Sequence, residues 1–319
     1  MKRRIFTRCG HGPLLTPKDL DVDADAVFNP GVAEVEGEVV LLLRIEDRTG
    51  ISQIRVARSA NGVDEWRIAD RPLLEPDLPE YPFEEWGCED ARVTPLGARE
   101  WGIAYTAYSR YGPAVALATT SDFETTQRIG VVLAPTNKDA ALVPGKFDGM
   151  HVLLHRPVTG GQEHIWYACS PWLSHWSMPG VLQPERGGPW WDGLRIGVGA
   201  PPLRTDQGWL LIYHGVKEFG GRPVYRLGLA LLDLDNPRRP IARASRWVFG
   251  PEADFEQRGL LPNVVYTCGA LLRGDDVWMY YGAADTFIGL ATAKLQALLT
   301  FVREYDFLDE VGRHKGMAQ

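Results

Sequence analysis

Several common classes of protein are excluded by what this chain does not contain. It has no surplus of basic residues: 34 Lys and Arg against 41 Asp and Glu leave a net charge of -7. That balance disfavours a nucleic-acid partner, since binding a phosphate backbone wants a basic face, though it leaves room for local pockets that take small anions. No apolar run approaches the roughly 20 residues that span a bilayer, so no membrane partner is expected. Met1-Lys2-Arg3-Arg4-Ile5 is basic but no apolar stretch follows it, so a secretory signal is not expected. Cys9, Cys88, Cys169 and Cys268 stand singly, with no C-x-x-C pair and no metal-ligand spacing. Disulfides and zinc are therefore not expected, and reduced thiols in a cytoplasmic protein are. Among 7 histidines no pair has metal-binding spacing. Gly-x-Ser-x-Gly and H-E-x-x-H are missing, and Gly197-Val198-Gly199 is followed by Pro201-Pro202, which forbid the helix of a dinucleotide fingerprint. Neither a metal nor an organic cofactor is implied.

What the chain does have is aromatic residues, 11 Trp and 11 Tyr among 319, suited to packing sheets and to stacking on sugar rings. It also has a phrase repeated five times, in which a strand end meets an alanine and then a polar turn. The alanines are Ala57, Ala118, Ala168, Ala230 and Ala291, at intervals of 61, 50, 62 and 61 residues. Before each phrase lies another apolar run, for example Val39–Arg44, Trp101–Tyr105 and Trp209–His214, itself preceded by a Gly-containing turn. Four short strands per unit in five units predict an all-β chain, a single five-bladed β-propeller over residues 1–319. Its blades fall at roughly 24–68, 85–130, 140–180, 193–243 and 257–300, with short N- and C-terminal extensions at 1–23 and 301–319. Helical periodicity is confined to Ala291–Val302. A two-domain β-sandwich would make the regular spacing a coincidence.

In such an array the first strand of each blade lines a channel, and the second strand returns antiparallel to the same mouth. That places Asn29, Arg44, Asp90, Lys146, Arg156, His214 and Asp285 together, because each starts a first strand or ends a second one. Charged and ring residues at equivalent strand ends are unexpected where turn formers usually stand. A glycosidic bond needs a proton on its leaving oxygen, which an enclosed carboxylic acid such as Asp90 can supply; an ion pair with Arg92, two residues along, is the structural alternative. Lys146, Arg156 and His214 together suit an anion. Asn29, Arg44 and Asp285 suit sugar hydroxyls, or one another across the channel. Tyr108 and Tyr225, with Trp86, Trp190 and Trp191, lie on loops suited to an acceptor sugar or to packing.

The phrases Phe28-Asn29-Pro30-Gly31, Gly87-Cys88-Glu89-Asp90-Ala91-Arg92, Asn137-Lys138-Asp139-Ala140, Leu154-His155-Arg156-Pro157, Trp209–Val216 and Tyr280–Thr286 resemble glycoside hydrolase family 130 in every blade and in order. Ala91 stands where that family often has proline. The resemblance implies a five-bladed propeller that cleaves β-mannosides, often by phosphorolysis, with inorganic phosphate as co-substrate. It implies that Asp90 is the general acid, acting through the mannose 3-hydroxyl, that Lys146, Arg156 and His214 hold phosphate, and that Asn29, Arg44 and Asp285 grip the sugar. The expected reaction is inverting phosphorolysis to α-mannose 1-phosphate, on a β-mannoside disaccharide or oligosaccharide. A β-mannosidase using water, with Glu46 or Glu89 as base, is the near alternative, and a non-catalytic carbohydrate-binding propeller the distant one. Linkage, acceptor and any homo-oligomer stay open.

Overall fold

Alternating and β-branched runs that end in Gly-, Asp- or Asn-containing turns fold as meanders. In the computed structural model, which describes residues 4–308, they form five successive four-stranded antiparallel units. Unit one comprises Ala26–Val35, Glu38–Glu46, Ser52–Ser59 and Arg67–Ile68. Unit two is Gly87–Gly97, Glu100–Ser109, Gly112–Thr120 and Gln127–Leu133. Unit three is Asn137–Leu142, His151–Pro157, Ile165–Ser170 and Ser177–Gln183. Unit four is Arg195–Val198, continued by Leu203–Arg204, then Trp209–Phe219, Arg222–Leu232 and Pro240–Arg243. Unit five is Val265–Arg273, Asp276–Ala283 and Phe287–Lys294, completed by Thr7–Arg8 from the N-terminal segment. A parallel bridge, Ser52 to Gly87, joins units one and two into one sheet. The fold is nearly all-β, and no sheet closes on itself among the described residues.

The units bury their apolar faces against one another in cyclic order. Leu42 and Val56 of unit one pack with Ile103 and Ala116 of unit two. Ala104 and Leu117 meet Leu142 and Leu153 of unit three, and Leu154 and Ile165 meet Leu211 and Tyr213 of unit four. Leu229 and Leu231 meet Met279 and Ala291 of unit five, and Tyr280 and Leu290 return to Leu41 and Leu43 of unit one. Sheet faces stacked this way remove most of the apolar area from water. Ala57, Ala118, Ala168, Ala230 and Ala291 are all buried in these layers, where a larger side chain would push neighbouring sheets apart.

Three expectations need correction. The first strand of unit three begins at Asn137, upstream of residue 140, and the segment at 144–149 is the hairpin that follows it. The N-terminal segment is part of unit five rather than an extension: Arg8 is ion-paired to buried Glu256 at 2.6 Å. The periodic stretch from Ala291 is strand as far as Lys294 and helix from Leu295 to Glu304, with Leu298, Leu299 and Val302 buried. Of the C-terminal extension expected at 301–319, residues 309–319 lie outside the described residues. No described helix is long and apolar enough to cross a membrane.

Candidate active site

The first strands of four units carry the same irregularity. The register slips between Phe28 and Gly31, Glu89 and Arg92, Lys138 and Ala141, and Tyr266 and Gly269. A bulge of this kind re-aims a side chain out of the strand's alternation. In units one to three the first bulged residue, Asn29, Asp90 or Asp139, has φ of 46°, 52° or 55°. This left-handed region is one that Asn and Asp tolerate better than other side-chain-bearing residues. The three polar side chains therefore leave their sheets at equivalent points.

They enter one hydrogen-bonded network that draws on all five units. Asn29 Nδ2 donates to Asp90 Oδ1 at 2.9 Å, and Arg44 Nη1 donates to the same oxygen at 3.0 Å. Arg44 also reaches Glu46 and Glu89, each at 3.1 Å. Arg92, 1% exposed, spends its donors on the carbonyls of Gly199 (2.7 Å), Val198 (2.9 Å) and Asp90 (3.0 Å) and on the Tyr266 hydroxyl (2.8 Å). The expected alternative of an Asp90–Arg92 side-chain pair is therefore not what forms. The Tyr266 hydroxyl in turn donates to Asp139 Oδ1 at 2.7 Å, and Arg156 Nε donates to Asp139 Oδ2 at 2.7 Å. Arg156 Nη1 pairs with buried Glu163. His214 Nε2 lies 3.5 Å from Asp139 Oδ2, with the ring against Tyr266 and Tyr225.

Two glycines make this convergence sterically feasible. A Cβ on Gly197 would stand 2.3 Å from Asp139 Oδ2 and 2.4 Å from His214 Cε1. One on Gly282 would stand 2.0 Å from Asn29 Oδ1.

The carboxylates are driven apart in acidity. Burial raises the Asp90 pKa, but Arg44, Lys138 and Arg92 outweigh it, so Asp90 is held below the usual carboxylate range. Burial raises Asp285 to about 6; neighbouring Asp90 adds to the rise and Arg44 opposes it. Asp139 is also burdened by burial yet held well below the usual range by Arg156, His214 and Lys138. Burial pushes His214 down to about 3, with Asp139 only partly opposing. His214 is accordingly neutral near pH 7 and adds no positive charge to the site. Lys138 stays charged, because Glu89, Asp139 and Asp90 outweigh its burial.

Of the expected residues, Asn29, Arg44 and Asp90 share direct bonds, and Asp285 lies within electrostatic range of Arg44 and Asp90. Arg156 and His214 share Asp139. Lys146 does not join them. It is exposed on the hairpin at the far end of unit three and donates to the Pro171 carbonyl at 3.1 Å. The lysine at the site is Lys138, which pairs in register with Arg156. Asp139, Lys138 and Arg195 were not expected there. Arg195 Nη2 donates to the Tyr225 hydroxyl at 2.7 Å, which places Tyr225 beside His214. The sequence does carry a signal for the first two, since Lys138-Asp139-Ala140 repeats the pattern of Glu89-Asp90-Ala91. Tyr108 sits at the mouth of unit two against Trp86, ring centroids 5.6 Å apart. Trp190 and Trp191 are used in packing: Trp190 on Arg186 and Phe307, Trp191 on Tyr213.

Residues 12–304 match the model of glycoside hydrolase family 130, described as β-1,4-mannooligosaccharide phosphorylase. The chain is 33% identical to a β-1,2-mannobiose phosphorylase of Listeria innocua, covering 92% of this chain and 97% of that one. It is 35% identical to a 1,2-β-oligomannan phosphorylase of Thermoanaerobacter sp., covering 91% and 97%. A solved structure of β-1,2-mannobiose phosphorylase from Listeria innocua with β-1,2-mannobiose superposes with a TM-score of 0.86 at 32% identity, covering 93% of this chain and 99% of that one.

Proposed function

The chain belongs to glycoside hydrolase family 130, and from that premise we propose an inverting phosphorylase that cleaves a β-mannosidic bond with inorganic phosphate. The products are α-mannose 1-phosphate and a sugar shortened by one unit. The observation that carries this reading is the Asp90 carboxyl: Oδ1 is held by Asn29 and Arg44 while Oδ2 takes no protein donor among the described residues. One oxygen is thus oriented and the other is left for a proton and substrate.

In cleavage, a phosphate oxygen attacks the anomeric carbon from the face opposite the leaving oxygen. The bond to that oxygen breaks, the oxygen takes the proton brought by Asp90, directly or through the mannose 3-hydroxyl, and β becomes α. The proton left on the phosphate then restores Asp90, so no net proton is consumed. Lys138, Arg156 and Arg195 are the cations assigned to phosphate, with neutral His214 as a further hydrogen-bonding group. Asn29, Arg44 and Asp285 are assigned to the mannosyl hydroxyls. Hydrolysis would need a carboxylate to activate water; the candidate bases Glu46 and Glu89 are both bonded to Arg44.

The five units are read as blades of one propeller around this network, a reading supported by their cyclic packing. A cytoplasmic location belongs to the same proposal. For the linkage we favour β-1,2, because relatives named for β-1,2-mannosides are 33–35% identical and one named for β-1,4-mannooligosaccharides is 28% identical. Incubating α-mannose 1-phosphate with mannose and determining the product linkage tests this. A β-1,2 disaccharide is expected, and a β-1,4 product overturns the assignment.

A further inference from the structure

Beyond the catalytic network, the mouth of unit two carries a row of ring side chains that the chemistry of bond cleavage does not require. Trp86, 41% exposed, stands against Tyr108, and its backbone N–H bonds the Tyr108 carbonyl at 2.8 Å. Further out, Tyr111 is 61% exposed at the hairpin tip, one side of its ring against Phe83 at 5.5 Å. Between that hairpin and the preceding loop lies a cleft of about 270 Å³ bounded by Tyr81, Tyr111, Glu85, Arg110 and Asp77. Aromatic faces beside planar charged groups are the chemistry that holds a sugar ring, the former taking its C–H face and the latter its hydroxyls.

This rim is tied down by hydrogen bonds and continuous with the site. The loop before Trp86 is anchored by Glu84, 2% exposed, which accepts from the Tyr105 hydroxyl at 2.6 Å and from the Cys88 thiol at 3.3 Å and pairs with Arg128. Arg110 Nε is bonded to Glu85 at 2.9 Å, tying hairpin to loop. Tyr108 pairs with Gly87, three residues before Asp90, and Tyr111 lies three residues beyond Tyr108. At the usual strand rise the tip is about 20 Å from the acid, measured along the strand. A saccharide leaving Asp90 along unit two would pass Trp86 before it reached Tyr111.

We propose that the Tyr81–Tyr111 cleft is a distal subsite for the outer sugar units of a mannosyl oligosaccharide, reached across the Trp86–Tyr108 pair. The inference rests on the β-mannoside phosphorylase reading and extends it: the enzyme acts on chains longer than the disaccharide. A preformed cleft of this kind costs little ordering on binding.

The test uses synthesis from α-mannose 1-phosphate with mannose and with β-mannosyl oligosaccharides of two to five units, comparing kcat/KM for long acceptors with that for mannose. The wild-type ratio is expected to exceed one and to fall roughly three- to tenfold in Tyr111→Ala. It should fall again in Arg110→Gln and recover in Tyr111→Phe. A wild-type ratio of one, or a ratio that both variants leave unchanged, overturns the subsite even if total activity drops. Wild-type enzyme that elongates no mannosyl acceptor at all overturns the phosphorylase reading instead.

Discussion

Arg44 holds Asp90 by a single oxygen: Nη1 lies 3.0 Å from Oδ1, the atom to which Asn29 also donates at 2.9 Å. Two donors on one oxygen fix the plane of the carboxyl and stabilise its charged form, so the resting enzyme carries Asp90 ionised. Under the proposed assignment that state suits synthesis, with Asp90 taking a proton from the acceptor hydroxyl, and cleavage begins from the minor, protonated form.

Asp90→Asn keeps the shape and loses the proton. Turnover in both directions is expected to fall about 10²- to 10⁴-fold, the usual contribution of a general acid, while mannoside binding by calorimetry persists. A variant with near-normal turnover would remove Asp90 from the chemistry.

Lys138 and Lys146 separate the proposed phosphate site from the one expected from sequence. Lys138→Ala is expected to raise the phosphate KM about tenfold or more, the worth of one charge-assisted bond, with a smaller change in mannoside KM. Lys146→Ala should stay within about twofold of wild type on both, as usual for an exposed residue whose side chain bonds one carbonyl. Steady-state kinetics with each substrate varied decides it; the reverse pattern would return phosphate to the Lys146 hairpin.

The two lysines also show how far the site was legible in sequence. The polar ends of units one, two, four and five follow from the alanine spacing. In unit three the sequence points to Pro144-Gly145-Lys146, because a Pro-Gly pair looks like the turn before a strand. Here it is the turn after one. Asn29, Asp90 and Asp139 are 61 and 49 residues apart, close to the alanine intervals of 61 and 50, so the repeat itself pointed to Asp139. Bulges and left-handed φ were not legible, since they depend on register across two strands. Nor was the neutrality of His214, which follows from burial beneath Tyr225 and Tyr266.

Asp285 gives a pH-dependent stability signature. With its pKa raised to about 6, the native state retains a proton that the unfolded chain, titrating near 3.9, has lost. Its ionisation therefore costs stability progressively between about pH 4 and 6, and the full cost is present above that window. Asp285→Asn is expected to stabilise the fold by about 1–3 kcal/mol at pH 7.5 and by nearly nothing at pH 4. Urea unfolding at both pH values checks this; an equal gain at both would mean that Asp285 titrates normally. The same variant should lose mannoside affinity, since it changes one of the groups assigned to the sugar.

Gly197→Ala probes the approach of units three and four. The added methyl would fall 2.3 Å from Asp139 Oδ2, so the Asp139–Arg156–His214 group must shift. The phosphate KM is expected to rise at least fivefold, an effect of about 1 kcal/mol, with Asp90-dependent chemistry less affected. An unchanged phosphate KM would show that Asp139 does not position the anion site.

The most direct measurement follows the cleavage of β-1,2-mannobiose by phosphorus NMR and sugar analysis, with and without inorganic phosphate. The account predicts α-mannose 1-phosphate and mannose in equal amounts when phosphate is present, and negligible cleavage without it. Free mannose released as two equivalents, at a rate indifferent to phosphate, would contradict it and make the enzyme a hydrolase.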